Sequence, residues 1–212
     1  ITSRMPTAPI HRRITKSKLH GMHRRTAIIL NAANIVTVSR VFMIPIVIIL
    51  HYSDLPHHNL LAAALFAIAS LTDWLDGYLA RKLNQTSDFG AFLDPVADKL
   101  QVVMAMVLLA ANHPSIWFVL PTAVIIAREV FVSALREWMA NSNQRNLVKV
   151  GYIGKVKTTV QMIAITILLA VDAATPEVIL WLGYVLIYVS AVFSLWSMVT
   201  YLSAALPTLR GK

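Results

Sequence analysis

Long apolar runs are the feature that most constrains how this chain can fold. About 20 helical residues cross the roughly 30 Å hydrocarbon layer of a bilayer. Six runs reach or approach this length, and prolines or polar residues separate them. The predicted spans are Ala33–Leu50, Asn59–Leu79, Ala91–Ala111, Ile116–Leu135, Ile153–Val171 and Val178–Ala205. The sequence therefore predicts an all-α membrane protein with six transmembrane helices.

The composition excludes several classes of protein. The chain is 57% hydrophobic and 14% charged, whereas about a quarter of the residues of a soluble domain are charged. Because the chain has no cysteine, disulfide scaffolds, Cys-based zinc sites and thiol nucleophiles are excluded. A metal ion in this protein would need oxygen or imidazole ligands.

The basic residues follow the predicted topology. Of the 19 Lys and Arg residues, eight fall at or before Arg40, whereas the loops 51–58, 112–115 and 172–177 contain none. The positive-inside rule then places both termini in the cytosol and these three loops outside. Topology thus accounts for most of the net charge of +9, and nucleic acid is not an expected partner.

Residues 1–26 differ from the rest of the chain, since they are basic and contain no acidic residue. We interpret them as an N-terminal extension: an organellar presequence, a cloning remnant, or sequence upstream of a start at Met22. Residues 27–212 are then the six-span domain.

Four of the ten acidic residues cluster at the predicted cytosolic ends of spans two and three: Asp73, Asp76, Asp94 and Asp98. At about 100° per residue, the first pair falls on one arc of its helix and the second pair on one arc of the next. If the two helices run antiparallel with these arcs facing, all four carboxylates converge. Oxygen ligands of this kind suit Mg²⁺, Mn²⁺ or Ca²⁺, and four carboxylates are enough for two divalent ions.

A structural alternative is that the aspartates cap helices and pair with Arg81, Lys82 and Lys99. Such pairing would account for one or two of the carboxylates. It does not account for four carboxylates on two arcs that face each other. Gly77 and Gly90 lie beside the carboxylates and leave room for a bulky group to approach the backbone.

The acidic cluster and its neighbours also form a recognisable pattern. Asp73-x2-Asp76-Gly77-x2-Ala80-Arg81-x8-Gly90-x3-Asp94-x3-Asp98 resembles the signature of the CDP-alcohol phosphotransferase family at all eight fixed positions. The resemblance extends from about Asn31 to Ala205. Within the family, the chain most resembles the bacterial phosphatidylglycerophosphate synthases, judged by Leu71–Leu100, Ile126–Glu129, Ser133–Trp138 and Gly154–Thr159.

This resemblance implies roles for individual residues. Asp73, Asp76 and Asp94 would bind two metal ions, Mg²⁺ or Mn²⁺, and Asp98 would complete the cluster and act as general base. The pocket for the cytidine diphosphate group of the lipid would consist of Gly77, Ala80, Arg81 and Gly90. Asn31, Thr37 and Arg40 resemble an amino-terminal stretch of the family that borders the active site; a snorkelling interfacial arginine is the alternative for Arg40.

Four basic residues form a second cluster: Arg128, Arg136, Lys155 and Lys157. The two arginines are eight positions apart and so lie within about 80° of each other on one helix. Guanidinium and ammonium groups bind phosphate oxygens, so an anionic, water-soluble acceptor would explain the cluster. The alternative is ordinary positive-inside flanking, with Arg128 paired to Glu129 or Glu137.

The implied reaction is phosphatidyl transfer from CDP-diacylglycerol to sn-glycerol 3-phosphate, which gives phosphatidylglycerol phosphate and CMP. We expect a homodimer surrounded by membrane lipids in the bacterial inner membrane, or in the mitochondrial inner membrane if residues 1–26 are a presequence. One alternative keeps the chemistry but uses inositol phosphate, an amino alcohol or phosphatidylglycerol as acceptor. Another is an ion-coupled transporter, since carboxylates inside a membrane also mark ion pathways.

Overall fold

The computed structural model describes the backbone of residues 32–83, 88–141 and 152–209. It describes the side chains of residues 36–72, 90, 92–140, 154 and 156–206. All statements below refer to these residues.

The described chain is all-helical, as the sequence predicts. Its helices are α1 (Ala32–His51), α2 (His58–Leu83), α3 (Asp88–Asn112), α4 (Ile116–Asn141), α5 (Tyr152–Ala170) and α6 (Glu177–Leu209). Each coincides with one predicted span to within a few residues at most ends. One difference is that α2 continues beyond its predicted end and α3 begins before its predicted start, so that only residues 84–87 separate them. Arg81, Lys82 and Leu83 are good helix formers, and Asp88 suits the first turn of α3 because its negative charge complements the helix dipole.

Two helices are long and apolar enough to cross a membrane by length and composition, Ile116–Ala140 and Glu177–Leu206. Less than half of the apolar stretch in each is buried within the protein, and the exposed side chains include Trp117, Val178 and Trp181. A long apolar helix that is not buried in its own protein needs an apolar environment outside it. The structure therefore supports a membrane protein. Val36–His51, His58–Thr72 and Val156–Ala170 are shorter apolar helical segments.

The helices pack in two groups that share contacts. Helix α1 packs on α2 and α3, α6 packs on α4 and α5, and α2 and α3 both contact α5. The main core contains Val47, Phe66, Met106, Phe118, Ile125, Ile165 and Ile187. A smaller apolar cluster of Val132, Met139, Tyr201 and Ala205 joins α4 to α6. This second cluster supports the end of the bundle where the predicted site residues lie.

The interface between α5 and α6 depends on a close approach at Gly183. A Cβ atom at this position would lie 2.5 Å from Leu168 Cδ2 and 2.6 Å from Leu168 Cγ, and Leu168 is buried. Glycine is thus the residue that lets the two helices reach their observed separation.

We predict that Gly183→Val lowers the free energy of unfolding by about 1–3 kcal/mol, because overpacking a filled interface costs this much. Leu168→Ala removes the side-chain atoms that the valine would meet. The double variant should therefore lose less stability than the sum of the two single variants, which is non-additivity in a double-mutant cycle. Thermal unfolding of the detergent-purified protein measures both effects. Leu182→Val, at a half-exposed neighbouring position, is the matched control. Equal stability of the Gly183→Val and Leu182→Val proteins would contradict the prediction.

Candidate active site

The four predicted aspartates lie at one end of the bundle. Asp73 and Asp76 are in the C-terminal part of α2, and Asp94 and Asp98 are in the N-terminal part of α3. Because only residues 84–87 join the two helices, these parts lie at the same end. The structure does not describe the side chains of Asp73, Asp76, Ala80 and Arg81 or the surroundings of Gly77. Gly90 is buried on α3.

Helix α1 contacts the two aspartates of the acidic cluster whose side chains are described, Asp94 and Asp98. Thr37 donates a hydrogen bond of 2.5 Å from Oγ1 to Asp94 Oδ1. One turn further, Arg40 Nη1 lies 2.9 Å from Asp98 Oδ1 and forms an ion pair with it. Thr37 and Arg40 are each only 2% exposed. A buried arginine that pairs with a carboxylate does not fit the snorkelling alternative, whereas contact with the acidic cluster is what the resemblance implies. Asn31 lies outside the described residues.

The donor set of this cluster suits a hard divalent cation. Asp94 and Asp98 are one helical turn apart on α3, and the α1 contacts fix the orientation of both carboxylates. The Asp98 side chain remains 45% exposed, so this carboxylate is accessible to a ligand. Carboxylate oxygens without sulfur or imidazole favour Mg²⁺ or Mn²⁺. Among the described side chains, no three His, Asp or Glu residues form a metal-ligand group, since two of the four aspartates fall outside this set.

A cavity of about 240 Å³ with several charged residues in its lining opens beside Asp98. Residues of α3, α4, α5 and α6 line it, among them Asp98, Lys99, Arg128, Glu129, Arg136 and Thr158. One residue of the acidic cluster, Asp98, and two of the basic cluster, Arg128 and Arg136, therefore line the same cavity although they belong to different helices. A carboxylate on one wall and guanidinium groups on another can bind an anionic molecule with its hydroxyl near a base.

Arg128 is held in place by contacts from two helices. Its Nη2 donates to Ser197 Oγ on α6 at 2.7 Å, and its Nη1 donates to Glu129 Oε1 at 3.2 Å. The guanidinium also lies 5.9 Å from the centroid of the Tyr201 ring. Its Nε has no hydrogen-bond partner among the described residues. A buried donor without a partner is uncommon, and Arg128 also lines the cavity, where its positive charge favours an anion.

The other basic residues of the predicted cluster differ in their surroundings. Arg136 is exposed and lines the cavity. Lys157 is buried, and its Nζ donates to Glu129 Oε1 rather than lining the cavity. Lys155 is in the first turn of α5, and its side chain is outside the described residues. Asp98, Arg128 and Arg136 thus line one cavity. Lys157 does not line it and contacts Glu129 instead.

Two residues at the site, Ser197 and Tyr201, were not expected from the sequence. Both belong to α6, whose uniformly apolar sequence gives no strong amphipathic signal. A weak signal does exist, because Ser190, Ser194 and Ser197 recur at helical spacing and all three are buried. A buried polar stripe on an apolar helix indicates contact with polar groups of other helices.

Comparison with known proteins identifies the family of this chain. The family model described as CDP-alcohol phosphatidyltransferase matches residues 30–196. Proteins named CDP-diacylglycerol–glycerol-3-phosphate 3-phosphatidyltransferase from Salmonella choleraesuis (strain SC-B67), Shigella flexneri and Escherichia coli (strain K12) are each 48% identical over 175 residues. Each alignment covers 82% of this chain and 94% of the relative. The expectation drawn from the aspartate signature is confirmed: the chain belongs to the CDP-alcohol phosphatidyltransferase family.

Proposed function

We propose that this protein transfers a phosphatidyl group from CDP-diacylglycerol to sn-glycerol 3-phosphate, with release of CMP. The observation that carries the proposal is the single cavity that Asp98 shares with Arg128 and Arg136. The names of the relatives, which are 48% identical, describe this same donor and acceptor. The family assignment also favours an enzyme over an ion-coupled transporter.

In the proposed reaction, a hydroxyl oxygen of the acceptor attacks the phosphorus atom that carries the diacylglycerol. A new P–O bond forms, the P–O bond to CMP breaks, and the hydroxyl proton passes to Asp98 as general base. A side chain at this position needs to be within hydrogen-bond reach of the hydroxyl. The Asp98 carboxylate is accessible on the cavity wall, and Arg40 fixes its orientation.

The lipid donor is assigned to the acidic cluster. Asp73, Asp76, Asp94 and Asp98 would hold two Mg²⁺ or Mn²⁺ ions, and the carboxylate donor set described above fits such ions. When bound, the ions would neutralise the diphosphate and stabilise the charge that develops on the leaving group. The cytidine diphosphate pocket is assigned to Gly77, Ala80, Arg81 and Gly90, and Asn31 borders it.

The acceptor is assigned to the basic cluster. Arg128 and Arg136 line the same cavity as Asp98, and Lys155 is predicted to join them. Planar guanidinium groups match phosphate oxygens in geometry and charge. An acceptor phosphate held by these residues would leave its hydroxyl end directed toward the carboxylate.

We further propose that all six helices span the bacterial inner membrane, with both termini cytosolic. The site end of the bundle would then meet the cytosol, where the water-soluble acceptor is found, and the lipid would enter sideways from the bilayer. Charge placement supports this orientation, since the loops at the opposite end contain no Lys or Arg. The homodimer stays a prediction.

The first prediction concerns the metal ions. Activity, measured as CMP release from CDP-diacylglycerol, should require Mg²⁺ or Mn²⁺. Asp73→Asn, Asp76→Asn and Asp94→Asn should each abolish turnover, because each substitution removes a charged oxygen ligand. Asp54→Asn, at an exposed acidic position in the loop after α1, is the matched control and should retain activity. Full turnover in excess chelator would refute a metal-dependent reaction.

The second prediction separates a base from a metal ligand. Asp98→Asn should reduce turnover by about 10²–10⁴-fold, the usual contribution of general-base catalysis. Binding of CDP-diacylglycerol, measured directly on the purified variants, should weaken less than in Asp73→Asn. Turnover close to that of the wild type in Asp98→Asn would rule out the assignment.

The third prediction concerns the acceptor. Arg136→Gln should raise the KM for sn-glycerol 3-phosphate by roughly 10–150-fold, the effect of losing one charge-assisted hydrogen bond. The KM for CDP-diacylglycerol should change much less. Plain glycerol, which lacks the phosphate, should be a poor acceptor for the wild type and insensitive to the substitution. An unchanged KM for glycerol 3-phosphate, or a better reaction with inositol phosphate in an acceptor panel, would show that the acceptor is wrongly assigned.

A further inference from the structure

Lys157 is a buried cation that does not reach the cavity. Lys157 lies on α5 and is only 1% exposed. It is not among the residues that line the cavity. Its Nζ donates to Glu129 Oε1 on the neighbouring helix α4. An ammonium group placed this deep is stable only when an opposite charge accompanies it, and Glu129 supplies that charge.

Glu129 stands between Lys157 and Arg128. The same oxygen, Oε1, accepts hydrogen bonds from Lys157 Nζ and Arg128 Nη1. The Arg128 contact, at 3.2 Å, is at the long end of the range for N–H···O bonds. The Glu129 side chain is 18% exposed and forms part of the cavity wall. A negative charge therefore lies beside the arginine that is assigned to the acceptor phosphate.

We infer that Lys157 is a positioning residue that acts through Glu129: by neutralising this carboxylate, it leaves the positive charge of Arg128 available to the phosphate of the acceptor. The inference rests on the proposed function and changes the role of Lys157 from direct contact to electrostatic support. The three side chains together carry one net positive charge. Without Lys157 their net charge is zero, and the carboxylate both competes for Arg128 and repels the incoming phosphate.

The geometry makes such an effect strong. The charges are in hydrogen-bond contact and mostly buried, so water and salt screen them much less than they screen surface pairs. Arg128 is also fixed by Ser197 on its other side. This second hydrogen bond keeps the Arg128 guanidinium close to Glu129.

The test is a charge-restoration experiment with full-length protein and sn-glycerol 3-phosphate as acceptor. Lys157→Met should raise the KM for this acceptor by about tenfold, the low end for losing a charge-assisted contact, with little change in kcat or in the KM for CDP-diacylglycerol. Adding Glu129→Gln returns the net charge of the group to one. The double variant should recover most of the lost affinity although the lysine is still missing.

The matched control is Arg136→Met with and without Glu129→Gln. Arg136 is assigned to the phosphate directly, so Glu129→Gln should not restore binding there. Recovery in both backgrounds would mean that any added positive charge helps, and it would overturn a specific role of Lys157. A double Glu129→Gln/Lys157→Met variant as impaired as Lys157→Met would also overturn it, because Lys157 would then contact the phosphate itself.

Lys157→Met leaves a mostly buried carboxylate short of one partner, which lowers the stability of this variant. The double variant removes that carboxylate together with the lysine, and Arg128 keeps its hydrogen bond to Ser197. This variant is sufficient alone: a KM within a few-fold of the wild type supports the inference, and a tenfold increase refutes it. Failure of the proposed function looks different, because it appears as an unchanged KM in Arg136→Gln or as preference for another acceptor. The charge-restoration pair is then measured with the acceptor that the panel identifies.

Discussion

The placement of charge among apolar helices is the constraint on which the rest of this structure depends. Arg40, Arg128 and Lys157 are each at most 8% exposed, and each contacts a carboxylate. Removing one partner of a buried pair is costly because it leaves an uncompensated charge. These pairs consequently tie α1 to α3 and α4 to α5 at one end of the bundle. The same contacts that make burial tolerable also orient the groups assigned to the reaction.

Much of this architecture could be predicted from the sequence. The apolar runs predicted the described helices because prolines or polar residues separate one run from the next. Spacing along a helix determines which side chains share a face, so the sequence also predicts that Asp94 lies near Asp98 and Arg128 near Arg136. Pairing of Arg128 with Glu129, weighed as a structural alternative, is present, but it coexists with a place on the cavity wall. The two interpretations of this arginine are therefore compatible.

Contacts between helices could not be predicted in the same way. A lysine in a basic cluster near a membrane surface is expected to be in contact with water. Lys157 is instead buried and paired with Glu129. Ser197 and Tyr201 reach Arg128 from a helix almost 70 residues further along the chain. Periodicity gives the face of one helix but not its rotation against a neighbour. The rotation depends on packing at close approaches such as Gly183 against Leu168.

The Lys157–Glu129 pair is better explained by the electrostatics of the cavity than by stability. Replacing a buried ion pair with well-packed apolar residues is often neutral or stabilising by about 1–4 kcal/mol, so a bundle of apolar helices does not need this pair to fold. Glu129 alone would weaken the arginine beside it, and Lys157 alone would be an isolated buried cation. Together they leave one positive charge at Arg128, which is held by Ser197 on α6 and lines the same cavity as Asp98. A site that must bind a phosphate close to a carboxylate base needs this separation of charge, because an excess of either sign would disturb the other half of the site.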